Sequence, residues 1–196
     1  LLAIMQYTAD KFLQTGKDLV SSSPSSLSSA SFLNSLALLA EAAGLFYLVL
    51  RIWMAVKLGR FHPVWNGLAV MALLDALAFV AINPSLANVS VKPGLQAGEE
   101  ALGILSFLVK SLVVIVPPAF GIGCVIGTVG LFFATGSLIT GGSLMSGMAA
   151  LRILAFFALL PLIAYLIFVF YGLLIDVIRA ILAIPGKSAV RTPAED

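Results

Sequence analysis

The chain has 196 residues, of which 61% are apolar and only 10% charged. A soluble domain carries nearer a quarter charged residues, and the net charge of +2 gives no basic surface for nucleic acid. The composition predicts an all-α integral membrane protein and excludes a nucleic-acid-binding one.

The first segment, 1–31, begins with apolar residues at Leu1, Ile4, Met5, Phe12, Leu13 and Val20, separated by Asp10, Lys11, Lys17 and Asp18. That stripe is too polar to span a bilayer and reads as an interfacial amphipathic helix. Eight serines and Pro24 between Ser21 and Ser31 then predict an exposed linker.

The segment 32–84 reads as a transmembrane hairpin. About 20 apolar residues cross the roughly 30 Å hydrocarbon layer. The first crossing runs from Phe32 to Lys57 and ends in a cluster of Arg51, Lys57 and Arg60. Gly59, His62, Pro63 and Gly67 mark a tight turn. The second crossing returns from Trp65 and stops at Asn83-Pro84, because proline lacks the amide a helix needs.

A polar loop and amphipathic turn, 85–109, follows. It contains Lys92-Pro93-Gly94 and Asn88-Val89-Ser90, a glycosylation sequon in form. Glu99 and Glu100 open the next helix at the favourable end of its own dipole.

The segment 110–184 reads as a second transmembrane hairpin. Pro117-Pro118 is expected to kink its first helix. No polar turn interrupts the chain from Met148 to Ile184, so one long bent helix through Pro161 is expected, with Asp176 and Arg179 paired one turn apart. A polar tail, 185–196, ends the chain. Lys57 and Arg60 lie on one side of four crossings and Lys11, Lys17, Lys92, Lys187 and Arg191 on the other. The basic-residue rule therefore leans towards cytoplasmic termini, against the compact Arg51/Lys57/Arg60 cluster.

The two hairpins look like tandem repeats. Met71–Pro84, MALLDALAFVAINP, and Met148–Pro161, MAALRILAFFALLP, agree at eight of fourteen positions with an offset of 77. The same offset pairs Gly44 with Gly121 and Gly59 with Gly136. It also makes Asp75 and Arg152 equivalent, with opposite charge.

Ionisable residues within a bilayer cost about 3 kcal/mol on insertion scales, so they normally face protein. The intramembrane charges Glu41, Asp75, Lys110 and Arg152 are therefore expected to turn inward as structural partners. Asp75 is matched with Arg152, and Glu41 lies on the same side of the bilayer as Lys110. A proton or ion relay through Glu41 and Asp75 is the functional alternative.

Small residues let helices approach where lipid provides no hydrophobic drive. Ala40, Gly44, Gly121, Gly123, Gly127 and Gly130 are accordingly the helix-packing candidates, within the bundle or against another subunit. His62 is the only histidine, which argues against a haem with two axial histidines. No nucleophile–base set, phosphate loop or metal-ligand spacing is present in the sequence, so neither an enzyme nor a resident cofactor is expected.

Leu36–Pro84, with Lys57-Leu58-Gly59 before a helix rich in small residues, resembles the DotE/IcmC-like inner-membrane proteins of type IVB secretion and conjugation machines. The resemblance implies a non-enzymatic component of a multiprotein secretion channel in a bacterial inner membrane, with other membrane subunits and lipid as partners. Two further readings stand beside it. One is a small oligomeric transporter or channel, and the other an accessory subunit of a photosynthetic or respiratory complex.

Overall fold

The computed structural model describes residues 2–59, 62–139 and 144–183. Five α-helices dominate: α1 (Leu2–Ser22), α2 (Ala30–Leu58), α3 (His62–Ile82), α4 (Ala97–Ile139) and α5 (Leu144–Ala183). Two short strands, β1 (Ser25–Leu27) and β2 (Val89–Val91), pair in parallel, and a 3-10 turn covers Pro84–Ala87. The fold is all-α, and four helices are long and apolar enough to cross a membrane, as in a multi-pass membrane protein.

Helices α2 and α3 pack as one antiparallel pair and α4 and α5 as another. Ser29 caps α2 by accepting the Phe32 N–H at 3.1 Å. Gly59 ends it in the left-handed conformation, φ 60°, with its N–H on the carbonyls of Ala55 and Val56. Asn83 and Pro84 end α3, as the sequence suggests. By contrast, α4 continues through Pro117-Pro118 and α5 through Pro161.

The core sits where the first hairpin meets α4 and the strand pair. Leu33, Ala37 and Ala40 from α2 and Ala78, Val80 and Ala81 from α3 cluster with Leu27, Ala87, Val89 and Phe107. Partly buried Phe32, Leu36 and Leu77, with Val114 and Ile115 of α4, pack against this cluster.

Several expectations are corrected. The serine-rich segment is not a solvated linker: β1 forms within it, and Leu27 is fully buried. Its pairing with β2, some 60 residues away, is a long-range contact that local composition does not encode. In the stripe on α1 the side chains of Leu1, Ile4 and Met5 lie outside the described residues, and Phe12 and Val20 meet protein. Val20 packs with Val113 and Phe168, and Phe12 stacks at 5.7 Å on Tyr165.

The 77-residue correspondence does not carry through to packing. A Cβ added to Gly44 would touch Met71 and Leu74 at 3.5 Å, whereas Gly121 has nothing within 4 Å. Gly59 terminates a helix, but Gly136 lies inside α4. Pro84 follows the end of α3, but Pro161 lies within α5. The repeated letters therefore occupy different structural positions in hairpins with different registers.

Candidate functional site

Two polar features stand out: a tethering knot at one end of the bundle and an acidic face on the first hairpin. The knot is centred on Lys110, which is 1% exposed. Its ammonium donates to the Ser23 carbonyl, to Ser25 Oγ at 2.9 Å and to the Asn88 carbonyl at 3.3 Å. Ser23 lies just past the C-terminus of α1, where a cation is favoured by the helix dipole. All three ammonium hydrogens thus have acceptors, which is what a buried charge requires.

Asn88, in the left-handed conformation with φ 50°, donates through its side-chain amide to the carbonyls of Val20 at 3.0 Å and Ser21 at 2.8 Å. It closes the open end of α1. The sequon asparagine is therefore committed to an internal hydrogen bond. Glu100 works on a third helix. Its carboxylate accepts both the N–H and, at 2.7 Å, the hydroxyl of Ser28, and the N–H of Ser29 at 2.9 Å. Glu100 lies in the first turn of its own helix, as the sequence suggests, and its carboxylate also reaches the start of α2. Glu99 stays local, accepting the Gln96 N–H at 3.3 Å.

Gly103 brings α4 against β1: a Cβ there would collide with the Ser26 carbonyl oxygen and touch Leu27. Beside the knot, Ser22–Ser26, Glu99, Ser106, Tyr171 and Asp176 line a cleft between α4, α5 and the serine segment. The side chain of Arg179, expected to pair with Asp176, lies outside the described residues, as does that of His62.

The helix-packing candidates separate into two groups. Ala40 and Gly44 are buried against α3. A Cβ added to Gly123 would overlap the ring of Phe157, and one added to Gly127 would come within 3.0 Å of Leu154. Gly121 is exposed, and Gly130 half-buried. The contacts of Gly44, Gly123 and Gly127 are internal to the hairpins.

The intramembrane charges also diverge from expectation. Glu41, Asp75 and Arg152 are all exposed rather than turned into the bundle. Arg152 stands about two turns after the start of α5 at Leu144. Asp75 lies mid-helix, so the two are not a pair. Lys110 is committed to the knot and does not neutralise Glu41. Towards the turn end, Arg51 donates to Tyr47 Oη at 2.9 Å, and Lys57 lies 4.0 Å from the Trp53 ring centroid.

Glu41 and Asp75 share a level and a face. Gly44 lies opposite Met71 and Leu74. One turn before Gly44 is Glu41, and the residue after Leu74 is Asp75, so antiparallel packing brings them level. Each follows an inward position, Ala40 or Leu74. In antiparallel right-handed helices, one 100° step beyond facing positions turns both side chains to the same side. Leu36 and Leu77, on the opposite side of their helices, pack against the core cluster that includes Phe107 of α4. The acidic face is therefore the one turned away from the second hairpin.

Neither carboxylate makes a hydrogen bond or ion pair with any described residue. Among the described residues no group of three metal-ligating side chains occurs. Comparisons with protein-family models, curated proteins and solved structures find no match.

Proposed function

We propose that the chain is a non-enzymatic structural subunit of a large multi-subunit membrane complex. The observation that supports this reading is where its internal polar groups go. Lys110, Asn88 and Glu100 each bind the backbone of another segment, so the end of α1, the start of α2 and the loop after α3 are tied to one another and to α4. Such groups fix helices relative to one another and hold no proton or substrate at a reacting centre. A rigid, largely apolar body suits a part whose long outer faces are covered by neighbours and lipid. A secretion or conjugation machine in a bacterial inner membrane, suggested by Leu36–Pro84, is the first assembly to test.

Glu41 and Asp75 on one outer face favour a second reading, a small oligomeric transporter or channel. Extraction of native membranes in mild detergent, followed by native electrophoresis and subunit identification, separates the two. The structural reading expects co-migration with other membrane proteins. A stable, transport-active particle containing only this chain would overturn it.

A further inference from the structure

We infer that the cleft between α4, α5 and the serine segment binds a primary ammonium group carried on an amphipathic molecule, the chemistry shared by an aminophospholipid headgroup and a free alkylamine. This binding does not depend on whether the chain joins other subunits.

Ser106 is a buried hydroxyl without a partner. It is 3% exposed and lines the cleft, yet it makes no hydrogen bond with any described group. Among the described residues, no buried side-chain oxygen is both sealed from solvent and unpaired, so the Ser106 oxygen opens onto the cleft. Helical serines commonly hand their hydrogen to the carbonyl one turn back, as Ser111 does to Phe107 at 2.8 Å. A hydroxyl buried this far ordinarily finds a partner, and the cleft is where one can enter.

The surroundings specify a cation. Glu99 on α4 and Asp176 on α5 both line the cleft. Glu99 accepts only the Gln96 N–H, at 3.3 Å, and Asp176 makes no hydrogen bond with any described group. Ser22 and Ser23 donate their hydroxyl hydrogens to the Leu19 carbonyl, at 3.0 and 2.8 Å, which leaves them lone pairs to offer. Lys110 also lines the cleft, but its three hydrogens are committed to Ser23, Ser25 and Asn88. The cleft is therefore richer in free acceptors than in donors, and its two carboxylates exceed Lys110 by one charge. One ammonium supplies both the donors and the balancing charge. A divalent metal ion fits less well, because no group of three metal-ligating side chains occurs among the described residues.

Size and position specify what carries the ammonium. The cleft holds about 880 Å³, enough for a drug-sized ligand, and Leu95, Leu102, Phe168 and Ile175 give it apolar walls. Glu99 lies near the start of the candidate span Ala97–Gly136, and Asp176 near the end of the span Leu154–Ile178. Antiparallel packing brings those two ends together, at the level where bilayer headgroups stand. An amphipathic amine can set its ammonium at the carboxylates and its chain along the apolar walls.

To test this, the full chain in mild detergent is titrated with dioctanoyl phosphatidylethanolamine, dioctanoyl phosphatidylcholine, n-octylamine and n-octanol, and bound adducts are read by native mass spectrometry. Phosphatidylethanolamine or octylamine should bind about tenfold more tightly than phosphatidylcholine and octanol, which offer no ammonium N–H. The tighter of the two amines identifies the source as headgroup or free amine. Asp176→Asn should weaken its binding about tenfold, and Ser106→Ala about threefold. A Cβ at Gly172, which also lines the cleft, meets no atom within 4 Å. Gly172→Leu should therefore keep the parent's melting temperature or raise it, while abolishing binding by filling the cleft.

Equal binding of the four compounds, or no binding by the folded parent, would overturn the proposal. So would affinity indifferent to Asp176→Asn, the result expected if Arg179 already holds that carboxylate. Indifference to Ser106→Ala would assign that hydroxyl to water, and indifference to Gly172→Leu would place the amine elsewhere; either result also overturns it.

Discussion

The carboxylate of Glu100 in α4 accepts the backbone N–H of Ser29, the N-cap of α2, from 71 positions along the chain. One side chain thereby supplies the N-terminus of a candidate membrane helix with the anion its dipole favours and acceptors for its free amides. Glu100→Gln keeps the length and loses the charge. We expect faster hydrogen exchange at the amides of Ser28, Ser29 and Phe32, with the remainder of α2 unaffected. Unchanged protection there would show that the carboxylate is dispensable to the cap.

Lys110→Met leaves the carbonyls of Ser23 and Asn88 and the hydroxyl of Ser25 without their shared donor. Unpaired buried groups cost about 1–3 kcal/mol, so thermal unfolding in detergent should begin at lower temperature. Lys110→Arg should not restore stability, because a planar guanidinium does not fit acceptors arranged around a compact ammonium. A Met variant as stable as the parent would show that the knot contributes nothing net.

Gly103→Ala forces a methyl group into the Ser26 carbonyl and should cost about 1–3 kcal/mol through overpacking. Gly98, in the same helix, has open space at its Cβ position. Gly98→Ala should be neutral or stabilising by about 0.5–1 kcal/mol, since glycine disfavours helix. Paired melting curves check both, and equal effects would remove the close approach as the cause.

A like contrast separates Gly123 from Gly121. A Cβ at Gly123 meets the Phe157 ring, but one at Gly121 meets nothing. Gly123→Ala should weaken the α4–α5 hairpin, and Gly121→Ala should leave its melting temperature unchanged or raise it slightly. The sequence leaves Gly123 to packing within the bundle or against a neighbouring subunit; its proximity to Phe157 makes destabilisation, rather than clean release from a complex, the expected outcome. A Gly123→Ala protein of unchanged stability that had lost its partners would reverse that conclusion.

Composition and the lengths of the apolar runs were sufficient to read an all-α chain with four candidate membrane helices, because bilayer thickness sets a minimum length that few soluble helices reach. Gly59 and Asn83-Pro84 as helix stops were legible too, since each acts through local backbone geometry. The site was not legible in the same way. That β1 pairs with β2, that Glu100 also reaches the start of α2, and that Lys110 closes on Ser23 and Asn88 all depend on segments far apart in sequence meeting in space. No periodicity records such meetings. The 77-residue likeness shows the limit most clearly. It compares letters along a line, whereas packing depends on which residues stand level across an antiparallel pair, and that is why a Cβ at Gly44 would touch α3 while one at Gly121 would meet open space. The side to which a charge turns is likewise settled by the rotation of its helix against its neighbours. Tertiary packing therefore put Lys110 inside and left Glu41 and Asp75 together on an outer face.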